Sequence, residues 1–360
     1  MAVDAVAPRI EDVVSIPPTV QEAAERSTRR RRLRRKGVTE LFEVRRFAGP
    51  CIHRTQIEHL RIVHLTDMHV GRVTPMKVQR EAIDLANRSK PDLVVITGDF
   101  VCHSQEYLDA LAEVVGGLNV PAIGVLGNHD YWSGATEVQR ALERGGVEVL
   151  NNANTTITLK HERLQVVGLD DAYTGHADRE KAVKGLRRDL PVLGLSHIAE
   201  EADALWAAGV PLVLAGHTHG GQVTLARLHE LALGKLAGHR YVHGLYGTRC
   251  PTDLSTDPDA PAGAVYVGAG IGAAVMPLRL GERGRREVTI FELGQAPGAF
   301  EEHHSEQDGL PGRKPTPMKT LKRRAAVVRK AAKRQEKHQR HSRRLDRTRR
   351  KVSLWDLEGD

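Results

Sequence analysis

Six short apolar runs, each ending in polar residues, recur through the middle of the sequence and constrain the fold more than any other feature. They are LRIVHLTD (60–67), DLVVITGD (92–99), PAIGVLGN (121–128), LQVVGLDD (164–171), PVLGLSH (191–197) and PLVLAGH (211–217). Continuous apolar runs of this kind indicate strands that other layers cover on both faces. Helix-like stretches at 77–87 and 106–115 separate several of the runs. The alternation therefore predicts an α/β fold.

The same alternation bounds one folded domain. It starts near residue 60 and ends near residue 293, where GAVYVGAGIG (263–272) and EVTIFEL (287–293) supply the last predicted strands. The predicted divisions are a basic N-terminal extension at 1–57, the folded domain at 58–296, a linker at 297–318 and a basic tail at 319–360. The tail has a helix-prone composition but only a thin apolar stripe. We therefore expect it to be disordered, or helical when bound.

Charge is distributed unevenly along the chain. The net charge is +8, yet residues 313–351 alone hold 18 Lys and Arg against two acids, so the body at 51–312 is acidic. A basic segment with almost no aromatic residues attracts phosphate backbones or anionic lipids without reading base sequence. The tail is thus predicted to bind either an anionic membrane surface or nucleic acid. A solvated extension and a protein-binding segment stay open as alternatives.

The cysteines and the apolar content bear on the compartment. Cys51, Cys102 and Cys250 are odd in number and far apart, so they predict no disulfide framework, which fits a reducing compartment. No apolar run reaches the roughly 20 residues of a membrane helix, and no secretory signal is visible. The expected location is cytoplasmic, either free or peripheral to a membrane.

The polar residues that end the apolar runs share one property: all are oxygen or imidazole donors. They are Asp67, His69, Asp99, Asn128, His129, Asp130, His197, His217 and His219. Such a set without thiolates suits Mn, Fe or Zn more than a structural zinc site, and it exceeds the needs of one tetrahedral ion. In an extended strand end, residues i and i+2 face the same side, so each D-x-H or H-x-H pair is expected to direct two donors to one place.

The ordered blocks D-x-H, G-D, G-N-H-D, S-H and G-H-x-H resemble those of the calcineurin-like metallophosphoesterases, and GHTHGGQ resembles the bacterial branch of that superfamily. The resemblance covers residues 60–293 and implies a four-layer α/β/β/α sandwich. It also implies a metal-dependent phosphoesterase. The sequence SHIAE at 196–200 departs from the usual S-H-x-P-D, which leaves the shape of a substrate loop open.

The resemblance further implies the role of each candidate residue. Two divalent ions, Mn, Fe or Zn, are expected, with Asp99 bridging them. The remaining ligands implied are Asp67, His69 and His219 for one ion, and Asn128, His197 and His217 for the other. His129 is the implied catalytic acid or leaving-group stabiliser, and Asp130 is expected to hold its ring. Weaker candidates for cleft or substrate contacts are His103, His176, Arg179, His239 and His243.

The implied reaction is hydrolysis of a phosphoester, phosphodiester or pyrophosphate bond. A hydroxide that bridges the two ions would attack phosphorus, while His129 assists the leaving group. A lipid-linked phosphate is the substrate suggested by analogy. The alternative is a metal-dependent nuclease, or a nucleic-acid-associated protein anchored by its basic tail.

Overall fold

The fold was analysed in a computed structural model of the chain. The structure describes residues 41–221, 239–251, 262–273 and 285–310, together with helical positions 318, 321, 322, 325, 329 and 333. The predictions for residues 1–40 and for most of the basic tail lie outside this part of the chain. Gln222 of the GHTHGGQ block and residues 311–317 of the predicted linker also lie outside it.

Twelve strands and six α-helices lie within the described residues between Phe42 and Leu293. The strands are β1 (Phe42–Ala48), β2 (Leu60–Leu65), β3 (Leu93–Thr97), β4 (Ala122–Val125), β5 (Val147–Val149), β6 (Ala153–Leu159), β7 (Glu162–Leu169), β8 (Val192–Ser196), β9 (Leu212–Ala215), β10 (Gly244–Gly247), β11 (Ala264–Val267) and β12 (Arg286–Leu293). The helices are α1 (Met76–Arg88), α2 (Leu108–Val115), α3 (Asn128–Ser133), α4 (Ala135–Arg144), α5 (Arg179–Val183) and α6 (Ala202–Ala207). All six apolar runs named above form strands.

The strands make two six-stranded sheets. The first has the order β1-β12-β2-β3-β4-β5, in which β2 to β5 are parallel and β12 is antiparallel to β2. The second has the order β10-β11-β9-β8-β7-β6, with a parallel centre from β11 to β7 and an antiparallel strand at each edge. Parallel neighbours end at the same edge of a sheet, so the loops after β2, β3 and β4 lie together, as do those after β8 and β9.

Three apolar clusters define the layers. One cluster fills the space between the sheets, where Ile62 and Val95 of the first sheet meet Leu193 and Leu214 of the second. Another covers the outer face of the first sheet with α1, α2 and α4, and the third covers the outer face of the second sheet with α5 and α6. The four-layer α/β/β/α sandwich is therefore confirmed.

Two segments outside the predicted strands pack on this sandwich. β1 lies before residue 58 and pairs in parallel with β12 at the edge of the first sheet. Residues 294–310 follow β12, and their Glu302 and Glu306 accept hydrogen bonds from Arg249, which is 1% exposed. The predicted boundaries 58–296 and 297–318 stay predictions. The structure describes residues before 58 and after 296 that pack on the predicted domain.

The cysteine interpretation needs correction. Cys51 and Cys250 form a disulfide, with their Cα atoms 5.0 Å apart, that joins the segment after β1 to the segment after β10. The partners are 199 positions apart in sequence, so no local spacing motif reveals the pair. The fold brings them together through the edge strands. Among the helices described, none is long and apolar enough to span a bilayer.

Candidate metal centre

The predicted ligands lie in five loops at one edge of the two sheets. Asp67 and His69 follow β2, Asp99 follows β3, and Asn128 opens α3 after β4. From the second sheet, His197 follows β8, and His217 and His219 follow β9. The layered fold thus gathers all seven residues where the two sheets present their parallel strand ends.

The backbone at these residues differs from the expected extended strand end. Asp67, His69, Asp99, His217 and His219 all have positive φ angles, between 46° and 75°. The expectation that residues i and i+2 project to one side of an extended strand is therefore wrong. Each strand ends before its ligand residue, and a left-handed backbone angle at each of these five residues turns its side chain toward the centre.

The first group of donors comprises Asp67, His69, Asp99 and His219, whose ligand atoms all lie within 4.8 Å of one another. Nε2 of His69 lies 3.0 Å from Nε2 of His219 and 3.5 Å from Oδ2 of Asp99. Nε2 of His219 lies 3.4 Å from Oδ1 of Asp67. These are the four residues that the resemblance assigns to one ion.

The second group comprises Asp99, His197 and His217, again within 4.8 Å. Nε2 of His197 lies 3.4 Å from Oδ1 of Asp99 and 3.3 Å from Nδ1 of His217. The other ring nitrogen of His197 donates to the backbone carbonyl of Thr97 at 2.8 Å, which leaves Nε2 to face the group. Asp99 is the member that both groups share.

Two buried oxygens support a cation at this position. Oδ2 of Asp67 accepts hydrogen bonds from Thr66 and from the backbone of His217, whereas Oδ1 accepts none from the described residues. Oδ1 of Asn128, in a residue 2% exposed, likewise accepts none within the described chain. Buried polar atoms without partners are costly. A divalent ion with oxygen and imidazole ligands would satisfy them, so the residues present fit the metals that the resemblance implies.

Electrostatics favour an ionised Asp99. Burial alone would raise the pKa of this carboxyl, but the imidazoles of His197 and His129 hold it well below its ordinary value. Burial opposes a proton on His197, yet the charge of Asp99 outweighs it and raises the pKa of that imidazole. The shared carboxylate therefore carries the negative charge around which the imidazoles gather.

Glycines allow the loops to approach each other closely. A Cβ atom on Gly127 would lie 2.5 Å from the backbone nitrogen of Asp99, and one on Gly216 would lie 2.5 Å from Oδ2 of Asp67. Both separations are shorter than any side chain tolerates. The G-N-H-D and G-H-x-H blocks thus need glycine so that loops from different strands can meet at the centre.

His129 lies beside the first group and not within it. It is 9% exposed, and its Nε2 is 3.9 Å from Oδ2 of Asp99. Its backbone N–H donates to Oδ1 of Asp99 at 2.8 Å, which fixes the start of α3 against the shared carboxylate. Its ring centroid is 4.6 Å from that of His69. This position places the imidazole at the border of the first group.

Asp130 makes contacts that differ from the predicted role. Oδ1 accepts the backbone N–H groups of Phe100 and Val101, and Oδ2 accepts that of Gly127 at 2.8 Å. Burial, with Asp99 nearby, raises the pKa of Asp130, and the N–H donors oppose that rise. These bonds tie the loop after β3 to the loop after β4. They support a role in positioning both loops, and the role in holding the ring of His129 stays a prediction.

The weaker candidates divide into two sets. His103 lies beside the site, with its ring centroid 4.3 Å from that of His129, and the ring centroid of His239 lies 5.4 Å from that of His217. The others make structural contacts: His176 stacks on Tyr131, Arg179 pairs with Glu201, and buried His243 bonds Glu287.

Sequence reasoning missed two aromatic residues that border the centre. The ring centroid of Trp132 lies 4.7 Å from that of His129, and that of Tyr173 lies 5.2 Å from that of His217. Trp132 stands two positions after the G-N-H-D block, so proximity along the chain could have pointed to it. Nothing local in the sequence marks Tyr173.

Comparison with known proteins finds relatives in one protein family. The calcineurin-like phosphoesterase family matches residues 60–221. The chain is 30% identical to the uncharacterized metallophosphoesterase YkuE of Bacillus subtilis, covering 65% of this chain and 78% of that one. It is also 30% identical to the phosphodiesterase YaeI of Escherichia coli, covering 65% of this chain and 82% of that one.

Proposed function

This chain belongs to the calcineurin-like phosphoesterase family, a family of metal-dependent phosphoester hydrolases, and we propose that it cleaves its substrate at a centre of two divalent ions. The observation that carries the proposal is the shared position of Asp99, which belongs to both groups of converging donors. One carboxylate between two sets of imidazoles is the arrangement that a bridging ligand requires.

We assign each residue a binding role from this arrangement. Asp67, His69 and His219 would hold one ion with Asp99, and Asn128, His197 and His217 would hold the other. When bound, the ions supply Lewis acidity that neutralises the phosphoryl oxygens and makes the attacking water more acidic. The donors suit Mn, Fe or Zn, and availability in the cell chooses among these.

The side chains of the protein supply orientation and a proton. Thr97 orients His197 through its backbone carbonyl, and Asp130 fixes the two loops that carry Asp99 and His129. An imidazole has an ordinary pKa of about 6.5, so His129 can donate a proton to a departing alkoxide near neutral pH. Its place beside the ligands, with Nε2 3.9 Å from Asp99, supports that role.

The bond cleaved is a phosphomonoester, phosphodiester or pyrophosphate bond, and the name of the Escherichia coli relative favours a phosphodiester. The proposed partner of residues 313–351 is an anionic surface, either a membrane carrying a lipid-linked phosphate or nucleic acid. Binding to vesicles of anionic lipid and binding to a DNA duplex are measured over a range of salt concentrations. The two sources are distinguished by how steeply each affinity falls as the salt concentration rises.

The test of the proposed reaction uses Asp99→Asn in the full chain. Wild-type protein loaded with Mn²⁺ should hydrolyse bis(p-nitrophenyl) phosphate and should melt at a higher temperature with metal than without it. Asp99→Asn should lose both properties. Asp109→Asn is a matched control, because that side chain is 96% exposed in a surface pair with Arg144. Hydrolysis that survives either Asp99→Asn or chelation would contradict the proposal.

A further inference from the structure

Two aromatic rings border both groups of metal ligands. Trp132 lies on the side of His129, and Tyr173 lies on the side of His217. The two rings meet at 81° with their centroids 6.1 Å apart, so they form a corner next to the centre. Each side chain is partly exposed. A substrate whose phosphate lies at the ligands would therefore have its ester group beside this corner.

The loop that carries Tyr173 is held by buried polar groups. Asp171 is 0% exposed, and its carboxylate accepts hydrogen bonds from the backbone of Tyr173 at 3.2 Å and from the backbone and hydroxyl of Thr174 at 2.7 and 2.6 Å. Oδ1 of Asn152 accepts from the backbones of Asp170 and Asp178. A surface loop that needs only to connect two elements does not require a buried carboxylate. The cost of burying Asp171 is understandable if the loop must present Tyr173 in one place.

The same loop is bonded to the helix that carries Trp132. Tyr131 donates its hydroxyl to Asp170 at 2.6 Å, which links α3 to the Tyr173 loop. Trp132 follows His129 by three positions and therefore lies on the same side of α3. His103 stacks on its indole with an interplanar angle of 7°. Both walls of the corner are thus fixed relative to His129, the proposed proton donor.

We propose that this corner, formed by Trp132 and Tyr173, binds a planar aromatic group attached to the phosphate of the substrate. The inference rests on the proposed phosphoester hydrolysis and names the class of ester that the site prefers. Aromatic side chains present flat, polarisable faces, and two rings at right angles allow a third to stack on one and meet the edge of the other. The group is a nucleobase or a simple aryl ring, since both share this chemistry.

The test measures equilibrium binding, so it does not depend on turnover. Calorimetric titration of the Mn²⁺-loaded full chain uses four phosphonates that cannot be hydrolysed: the 5′-methylenephosphonates of adenosine and of ribose, benzylphosphonate and cyclohexylmethylphosphonate. Each aromatic ligand has a partner that lacks the ring or has it saturated. Stacking on an aromatic side chain favours the aromatic member of a pair by about tenfold.

The variants are Trp132→Leu and Tyr173→Leu, with Phe300→Leu as the control, because the ring of Phe300 lies against Arg46 of β1. We expect the aromatic preference to fall to about twofold or less in Trp132→Leu and Tyr173→Leu, and to persist in the control. A preference for adenosine alone identifies a nucleobase, and a preference for both aromatic ligands identifies any aryl group.

Two results would overturn the inference. One is equal binding of aromatic and saturated phosphonates to wild-type protein. The other is an aromatic preference that survives in both leucine variants. Failure of wild-type protein to hydrolyse bis(p-nitrophenyl) phosphate is a separate outcome, since it contradicts the proposed hydrolysis while the binding preference is read independently.

Discussion

Five of the seven predicted ligands occupy a left-handed backbone conformation that residues other than glycine seldom adopt. Asp67, His69, Asp99, His217 and His219 are all left-handed, and each such residue costs on the order of 1–3 kcal/mol. The surrounding hydrogen bonds hold them there: Asp67 alone receives the hydroxyl of Thr66 and the backbone of His217. Strain concentrated at five donors that face one another is the expected mark of a binding centre, because packing alone would not favour it.

Replacement of His129 separates proton donation from metal binding. His129→Ala should lower kcat for an alkyl phosphodiester by about 10²–10⁴-fold, the usual contribution of a general acid, while metal content stays unchanged. An aryl ester with a good leaving group should lose less, because its departure needs less protonation. Measurement of kcat for both esters, with metal content by elemental analysis, checks this prediction. Loss of metal in the variant would instead make His129 a ligand.

At this scale the sequence predicted the donors better than their conformations. Short blocks such as G-N-H-D keep several candidate residues adjacent, so the order of the blocks identifies the candidate donors without a structure. The left-handed angles could not be predicted, since they depend on contacts between loops from different strands. The same reason hid Tyr173, which lies beside His217 in a loop that Asp171 and Tyr131 bond.

Among the elements, β12 connects the two sheets through its side chain at Glu287. Its Glu287 is buried and bonds Tyr266 of β11 at 2.5 Å and His243 at 2.9 Å, and it pairs with Arg45 of β1 at 3.0 Å. One carboxylate therefore links both sheets and the segment that precedes β10. Burial would raise the pKa of Glu287, but Arg45 and His243 hold it well below its ordinary value.

Loss of this carboxylate should weaken the fold in a pH-dependent way. Glu287→Gln removes the nearer of the two carboxylates that face buried Arg45, since Glu43 lies farther off at 3.6 Å. Loss of a buried ion-pair partner costs about 3–5 kcal/mol at neutral pH. Because the folded pKa is depressed, the stabilisation is complete above the unfolded pKa of about 4.3 and is lost as pH falls below it. Urea unfolding at pH 7 and near pH 3.5 should therefore show a smaller difference from wild type at the lower pH.

Glu113→Gln is the matched control for that measurement, since Glu113 pairs with Arg80 on the surface and its side chain is 62% exposed. Surface pairs contribute about 0–1 kcal/mol, so the control should resemble wild type at both pH values. A difference for Glu287→Gln that grows as the pH falls would contradict the assignment of a depressed pKa.

The disulfide between Cys51 and Cys250 fastens the edge strand β1 to the end of β10. Replacement of both cysteines by serine should lower the free energy of unfolding by about 2–4 kcal/mol, because the bond closes a long loop in the unfolded chain. Reductant should destabilise wild-type protein and leave the serine variant unaffected. Thermal melts with and without reductant make the comparison, and equal melting of the two proteins without reductant would contradict this role.

For the whole molecule, periodicity predicted the sandwich but not its edges. The long apolar runs became the central strands β2, β3, β4, β7, β8 and β9. The edge strands β1, β5, β6 and β10 escaped prediction because they are short or carry exposed polar residues. The disulfide lies at such an edge. The cysteine spacing predicts a reducing compartment, and the pairing of Cys51 with Cys250 removes that argument for a cytoplasmic location.

The charge asymmetry of the chain predicts that the tail binds polyanions and the body carries out hydrolysis, and truncation can test this separation. Residues 313–351 carry 18 Lys and Arg, whereas the donors of the metal centre all lie between Asp67 and His219. Removal of 313–360 should therefore abolish binding to anionic vesicles and to DNA at low salt, since that binding comes from neutralised phosphates. The kcat/KM for the small ester bis(p-nitrophenyl) phosphate should change by less than about twofold, because screening confines the electric field of the tail to about 10 Å. A truncated chain that retains full polyanion binding would show that the tail is not the binding segment. One that loses hydrolysis of this small ester would show that the tail acts on the body of the protein.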